Sequence, residues 1–224
     1  MADSLLPDDI VEAANHVAAT LAPATDADWS VPAGRLDWDV RTTVLHSASA
    51  VTYYSGHLAS QTTTWLPLIL DMAIDATNEQ VLRLLPATAR MLAIVAAGSP
   101  GTARAYHEGG MADVSGFLAM AVDEVIVHGA DAAAGLGLAY DPPEPLARKV
   151  LDRLFPWAPR DTPTWLTLLW SNGRASLPGQ PDRPQNWGWQ CAPLDEWDGE
   201  IRVFRRPPVS FELDTETNSW RGVR

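Results

Sequence analysis

A long apolar stretch between Asp113 and Gly135 constrains the fold more than any other part of the chain. Its large apolar side chains recur with the 3.6-residue period of a helix, and Asp113 can cap the first turn. Glu124 and His128 interrupt this pattern four residues apart, which is about one helical turn. A glutamate and a histidine at this spacing can bind one metal ion from the same helix. The sequence therefore predicts a helix that carries two metal ligands.

Three further stretches in the first 140 residues follow the helical period and are bounded by capping or stop residues. They run from Asp8 to Leu21, from a capping residue within Asp37-Trp38-Asp39 to about Ser60, and from Thr77 to Gly98 with a bend at Pro86. The glycine-rich segment between the third and fourth helices is expected to be a loop. The first 140 residues are therefore expected to be four helices.

The pattern changes after Asp141-Pro142-Pro143. Two short helices are expected there, from Leu146 to Phe155 and from Thr164 to Ser171, followed by turns and strand-like pieces. The strand-like pieces are Trp187 to Gln190, Ile201 to Phe204 and Ser210 to Leu213. Seven of the ten tryptophans lie after residue 150. We therefore expect a helical domain over 1–140 and a small, tryptophan-rich α+β region over 141–224 that packs on it.

The face of the fourth helix supports a metal site. At 100° per residue, Glu124 and His128 lie about 40° apart, and Asp131 lies about 20° from Glu124 on the other side. Apolar side chains share this face, so it is expected to point into the bundle. A buried carboxylate and imidazole need a partner, because desolvating an unpaired charge costs several kcal/mol. A divalent cation would supply that partner.

The second helix offers the third ligand. His46, Tyr53 and His57 are spaced by seven and four residues and line one wall of that helix. His46 and His57 lie roughly 16 Å apart along the axis, so one ion cannot bind both. Spacing alone leaves either histidine possible, and Tyr53, His57 and Asp131 are candidates for pocket or second-shell roles. The alternative is an ordinary Glu124–His128 pair beside a core histidine.

Composition excludes several classes of function. A net charge of −12 would repel nucleic acid, and no basic cluster opposes it apart from Arg205-Arg206. The apolar stretches are interrupted before they reach the length of a membrane span, and Met1 to Ser4 lacks the basic start of a signal peptide. We expect a soluble, cytoplasmic protein with no nucleic-acid or membrane partner. Its Ala, Pro and Trp content with a single lysine, Lys149, is typical of a GC-rich actinobacterial genome.

Cys191 is the only cysteine, which excludes an internal disulfide and any multi-cysteine zinc site. It is expected to be a half-buried structural thiol. His16 and His107 do not share the stripe of the candidate ligands and are expected to be exposed.

The order of these motifs resembles a known family. Leu36-Asp37-Trp38-Asp39-Val40-Arg41 precedes His46, and Glu124-Val125-Ile126-Val127-His128 precedes Asp131 and Gly135-Leu136-Gly137. Over about residues 8 to 141, this arrangement is similar to the DinB-like four-helix-bundle superfamily and, within it, to the mycothiol-dependent maleylpyruvate isomerase group. The resemblance implies a mainly α fold, with a DinB-like four-helix bundle followed by the small α+β segment. Thr42-Thr43 depart from the residues that many relatives have before the histidine.

The resemblance also implies a chemistry. Family members hold one divalent metal ion with two histidines and a glutamate, which correspond here to His46, Glu124 and His128. Zinc is the first expectation, with nickel or iron as alternatives. Mycothiol, a low-molecular-weight thiol, is the implied co-substrate, and the metal would favour its thiolate for attack on a small electrophile. Either isomerisation or formation of an S-conjugate can follow, and no catalytic residue is identified beyond the metal ligands.

Two other functions are compatible with the same residues. One is a metal-dependent hydrolase, lyase or cyclase, or an iron enzyme, that uses no thiol. The other is a non-catalytic bundle that binds a small molecule or a protein partner.

Overall fold

The computed structural model describes residues 4–68 and 75–203 in full, and the backbone of 210–214 and 219–223. In chain order the helices are α1 (Pro7–Leu21), α2 (Val40–Ser60), α3 (Asn78–Leu82), α4 (Leu84–Gly98), α5 (Val114–Gly135), α6 (Glu144–Leu154) and α7 (Thr164–Ser171). Two antiparallel hairpins are formed by β1 (Arg104–His107) with β2 (Gly110–Asp113) and by β3 (Ser210–Asp214) with β4 (Ser219–Val223). The fold is mainly helical, as the sequence predicts.

Four long helices enclose the core. Helices α1 and α2 each pack against both α4 and α5, which places the four helices around a common apolar interior. Large side chains that are fully buried come from all four helices, and they include Ile10, Leu58, Leu92, Phe117 and Ile126. This arrangement is compatible with the predicted helical bundle.

Two aspartates determine where the helices of the candidate site begin. The Asp39 side chain accepts a hydrogen bond of 2.6 Å from the backbone N–H of Thr42 at the start of α2. The Asp113 side chain accepts one of 2.7 Å from the backbone N–H of Gly116 at the start of α5. Each carboxylate satisfies a backbone donor that has no partner within its helix. Both caps lie within the segments where the sequence predicts them, Asp37-Trp38-Asp39 and Asp113-Val114-Ser115.

The predicted third helix differs from the structure in its continuity. It is divided at Arg83 into a short α3 and a long α4, whereas the sequence predicted one helix that bends at Pro86. Pro86 instead lies in the first turn of α4, where its missing N–H costs nothing because first-turn donors have no intrahelical partner. The stretch Asn78–Gly98 has a mean hydropathy of 1.5 and could cross a membrane by length and composition, so the expectation that no apolar stretch reaches that length is wrong. This is weak evidence for a span, since the core helix of a soluble protein passes the same test.

The strand assignments are partly corrected. Between α4 and α5, where a loop was expected, Tyr106 pairs with Met111 in the β1–β2 hairpin. The stretch from Trp187 to Gln190 forms only an isolated bridge, from Trp187 to Val203, rather than a strand. The end of the next predicted piece, Phe204, lies outside the described residues. The backbone from Ser210 to Leu213 forms a strand as predicted.

Buried polar contacts join the later part of the chain to α5. The carboxylate of Asp123, almost fully buried, accepts hydrogen bonds from Trp189 Nε1 at 2.9 Å and from Asn172 Nδ2 at 3.0 Å. Arg153 on α6 pairs with Asp113 at 2.7 Å. Burial raises the pKa of Asp123 to about 7, although both hydrogen bonds favour the ionised form. These contacts hold α6, α7 and the segment around Trp189 against the helix that carries the candidate site.

Candidate metal centre

The relative direction of α2 and α5 decides which residues meet. A side-chain carbon built on Gly135, at the end of α5, would lie 2.9 Å from Val40 at the start of α2. Near the other end of the pair, the rings of Tyr54 and Phe117 lie 5.9 Å apart. The two helices are therefore antiparallel, and the first half of α2 lies beside the second half of α5. This geometry brings His46, rather than His57, level with Glu124 and His128.

Three ligand atoms converge between these helices. Oε2 of Glu124 lies 3.2 Å from Nε2 of His128 and 3.5 Å from Nε2 of His46. One ligand atom from each of the three residues lies within 4.8 Å of the other two, so the group could hold a metal ion. Two ligand atoms bound at about 2.1 Å to one tetrahedral ion lie about 3.4 Å apart. The two distances from Glu124 to the histidines fit that spacing.

The group is accessible from one side. The His46 side chain retains 32% of its surface, whereas Glu124 and His128 retain 12% and 10%. The ligands on α5 are therefore covered by the bundle, while the ligand on α2 borders solvent. Any further ligand would therefore reach the group from the side of His46.

The ionised carboxylate of Glu124 attracts positive charge, which is either a proton on His128 or a metal ion that displaces that proton. Burial acts against the charged form of His128, but its contacts with Asp131 and Glu124 outweigh burial and raise the pKa of His128 to about 9. Burial likewise disfavours ionised Glu124, but His128 and His46 outweigh it and hold the pKa of the carboxyl well below its usual range. The glutamate therefore stays ionised and attracts positive charge at the position that the histidines share.

A chain of polar contacts supports His128 from behind. Its Nδ1 lies 3.2 Å from Oδ2 of Asp131, one turn further along α5. The same Oδ2 lies 3.1 Å from Nε of Arg174, which follows α7. In the neutral ring, a carboxylate beside Nδ1 favours the proton on that nitrogen and leaves Nε2 available to a metal, although the two side chains are not aligned for a hydrogen bond here. Asp131, a second-shell candidate from the sequence, thus lies at the site.

An indole covers the two histidines. The ring of Trp38 lies 4.7 Å from the ring of His46 and 6.1 Å from the ring of His128, centroid to centroid. The loop before α2 reaches this position through Gly34, whose φ is +58° and whose added side-chain carbon would lie 3.4 Å from the backbone oxygen of Asp131. The positive φ favours glycine at this position, whereas the 3.4 Å approach is an ordinary contact. The sequence motif contained Trp38, but only the structure shows its position over the site.

Tyr53 and His57 lie away from the three ligands. Their rings stack with centroids 3.8 Å apart. The imidazole of His57 accepts a hydrogen bond from Leu66 N at 3.0 Å through Nε2, and its Nδ1 donates to the backbone oxygen of Tyr53 at 3.0 Å. Burial lowers the pKa of His57, which favours this neutral ring. His57 therefore attaches the segment after α2 to the helix.

The structure instead brings Tyr54 to the site. Its hydroxyl donates to Oε1 of Glu124 at 3.4 Å. The helical period pointed to Tyr53, because a residue seven positions after His46 lies on the same face of the helix. A buried tyrosine needs a partner for its hydroxyl, and this general requirement is the signal that could have drawn attention to Tyr54.

The only cysteine is not a reactive thiol. Sγ of Cys191 lies 3.2 Å from Nδ1 of His107, and both side chains are buried. Burial raises the pKa of Cys191 to about 12 and lowers the pKa of His107 to about 4. The pair is therefore neutral at pH 7. The expectation that His107 is exposed is wrong, because the unpredicted β1–β2 hairpin carries it into the interior.

Comparison of the chain with protein-family models, with curated proteins and with solved structures finds no match.

Proposed function

We propose that the protein is a metal-dependent enzyme that binds one divalent ion through His46, Glu124 and His128. The observation that carries the proposal is the convergence of the three ligand atoms within 4.8 Å at a site open on the side of His46. Two histidines and one carboxylate suit zinc, with nickel or iron as alternatives. Catalytic metal sites combine three protein ligands with a position for water or substrate.

The reaction that we propose uses a low-molecular-weight thiol, with mycothiol as the co-substrate, and a small electrophile. A bound divalent ion would favour the thiolate, which is the nucleophilic form. The thiol has to come from outside the chain, because Cys191 is buried and burial raises its pKa to about 12. Addition of the thiolate to a conjugated double bond, rotation and expulsion gives an isomer. Displacement of a leaving group gives an S-conjugate.

The residues around the ligands have distinct roles in this proposal. Asp131 keeps the proton of His128 on Nδ1, so that Nε2 faces the ion. Trp38 lies against both histidines and limits the access of water to them. His46, the most exposed of the three ligands, borders the side from which thiol and electrophile enter.

The packing of the four long helices and the order of the sequence motifs support membership of the DinB-like superfamily, in the group of the mycothiol-dependent isomerases. A cytoplasmic location fits a chain that has one buried cysteine and uses a reduced thiol. Both assignments are parts of the same proposal.

Metal analysis combined with a thiol assay tests the function. The purified protein should contain one divalent ion per chain, and His128→Ala should lose it. With mycothiol and a panel of small electrophiles, the wild-type protein should consume thiol, and a chelator should stop the reaction. Cys191→Ser should retain this activity. Chelator-sensitive turnover without any thiol would favour a hydrolase or lyase instead, and a metal-loaded protein with no turnover would contradict the enzyme proposal.

A further inference from the structure

The two oxygens of Glu124 have different neighbours. Oε2 faces both histidines, at 3.2 Å from His128 and 3.5 Å from His46. Oε1 points the other way and accepts a hydrogen bond of 3.4 Å from the hydroxyl of Tyr54. One oxygen is therefore directed at the candidate metal position and the other at a neutral donor on α2.

Helix geometry explains how Tyr54 reaches this carboxylate. Side chains on a helix point back toward its N-terminus, and Tyr54 lies eight residues, or about two turns, after His46. Its long side chain therefore extends toward the level of the metal ligands. The ring is buried between those of Phe117 and His107, with both centroids 5.9 Å away. Burial raises the pKa of Tyr54 well above its usual value, so the hydroxyl keeps the proton that it donates.

The main chain of Glu124 is held from the same helix. Oγ of Ser47 lies 3.4 Å from the backbone oxygen of Glu124 and 3.2 Å from the backbone oxygen of Thr43. Helix α2 thus contacts Glu124 at its backbone through Ser47 and at its carboxylate through Tyr54. The orientation of the carboxylate is determined by the packing of α2 on α5.

We propose that Tyr54 is a positioning residue that restricts Glu124 to one-oxygen coordination of the metal. The inference rests on the metal site of the proposed function. A carboxylate can also bind an ion through both oxygens, and the second oxygen would then take a position otherwise open to thiol or substrate. By holding Oε1, the Tyr54 hydroxyl keeps that position open.

Cobalt substitution of the wild-type protein, Tyr54→Phe and Tyr53→Phe tests this role. Tyr53 is the matched control, because its ring stacks on His57 rather than contacting Glu124. Visible absorption of Co²⁺ is intense at four-coordinate sites and weakens as the coordination number rises. We expect Tyr54→Phe to bind one Co²⁺ with a weaker, shifted spectrum, because a second oxygen of Glu124 raises the coordination number, and with a Kd that differs from that of the wild-type protein. Tyr53→Phe should match the wild-type protein in both.

A crystal structure of the cobalt-loaded wild-type protein gives a second measurement that needs no variant. One oxygen of Glu124 should lie at about 2.0–2.2 Å from the ion. Two oxygens at bonding distance would overturn the inference, as would a Tyr54→Phe protein with the wild-type spectrum and Kd. A wild-type protein that binds no Co²⁺ overturns the metal site itself. If Tyr54→Phe shows the expected change in the Co²⁺ spectrum but the wild-type protein shows no thiol-dependent turnover, the role of Tyr54 is supported and the proposed reaction is contradicted.

Discussion

Nδ1 of His128 lies 3.2 Å from Oδ2 of Asp131, one helical turn further along α5. Both side chains are about nine-tenths buried, so this pairing occurs where solvent screens it weakly. It leaves Nε2 of the same ring facing Glu124. The local sequence of one helix thus provides two candidate ligands and the group that orients one of them.

Replacing Asp131 with Asn should weaken metal binding about 10- to 100-fold, because the amide cannot stabilise the Nδ1 proton of His128 as a carboxylate does. A competition titration against a coloured chelator measures the Kd. Asp141→Asn is a suitable control, since Asp141 is an exposed aspartate beyond the end of α5. Equal Kd values for Asp131→Asn and the wild-type protein would show that Asp131 does not orient the ligand.

His46 and His57 should respond differently to substitution. His46→Ala should lower metal affinity at least 100-fold, because it removes one of three ligands. His57→Phe should retain the metal but lower the free energy of unfolding by about 0.5–1.5 kcal/mol, because it removes the acceptor of the part-buried hydrogen bond from the Leu66 backbone N–H. Metal content and urea unfolding of the two variants separate these effects. If His57→Phe loses the metal and His46→Ala keeps it, the third ligand is His57 and not His46.

The sequence predicted much of the bundle because its signals are local. The caps at Asp39 and Asp113 and the 3.6-residue apolar period depend on neighbours within a few turns. The division of the third helix at Arg83 has no comparable signal. Neither does the β1–β2 hairpin, whose short strands lack a clear alternating pattern.

The candidate site was only partly predictable, since it depends on how distant elements meet. One helix supplies Glu124, His128 and Asp131, so spacing alone places them on one face. Spacing alone left His46 and His57 open, and the antiparallel direction of α2 and α5 supports His46, which the resemblance had favoured. The position of Tyr54 needed the reach of a long side chain over about two turns, and Arg174 comes from 43 residues beyond Asp131.

Replacing Asn172 with Ala should lower the free energy of unfolding by about 1–3 kcal/mol, because it leaves one oxygen of the buried Asp123 carboxylate without its donor. Asn15→Ala, on the exposed face of α1, should change it by less than about 0.5 kcal/mol. Urea unfolding followed by tryptophan fluorescence compares the two. Similar small effects would mean that the Asp123 contacts contribute little to the attachment of α7.

Stability should fall in mild acid because of His107. Burial lowers its pKa to about 4 in the folded state, whereas an unfolded histidine has a pKa of about 6.5. The unfolded chain therefore binds the proton first as pH falls. The contribution of the neutral imidazole is fully present above about pH 6.5 and is lost progressively toward pH 4.

The expected loss from this residue is about 2 kcal/mol between pH 7.5 and pH 5. Urea unfolding at both pH values measures it in the wild-type protein and in His107→Gln, which cannot titrate. The variant should be less stable at pH 7.5, because it disturbs the contacts with Cys191 and Gly109. Between pH 7.5 and pH 5, the free energy of unfolding should nevertheless fall by about 2 kcal/mol less in the variant than in the wild-type protein. Equal losses in the two proteins would show that His107 does not cause the acid sensitivity.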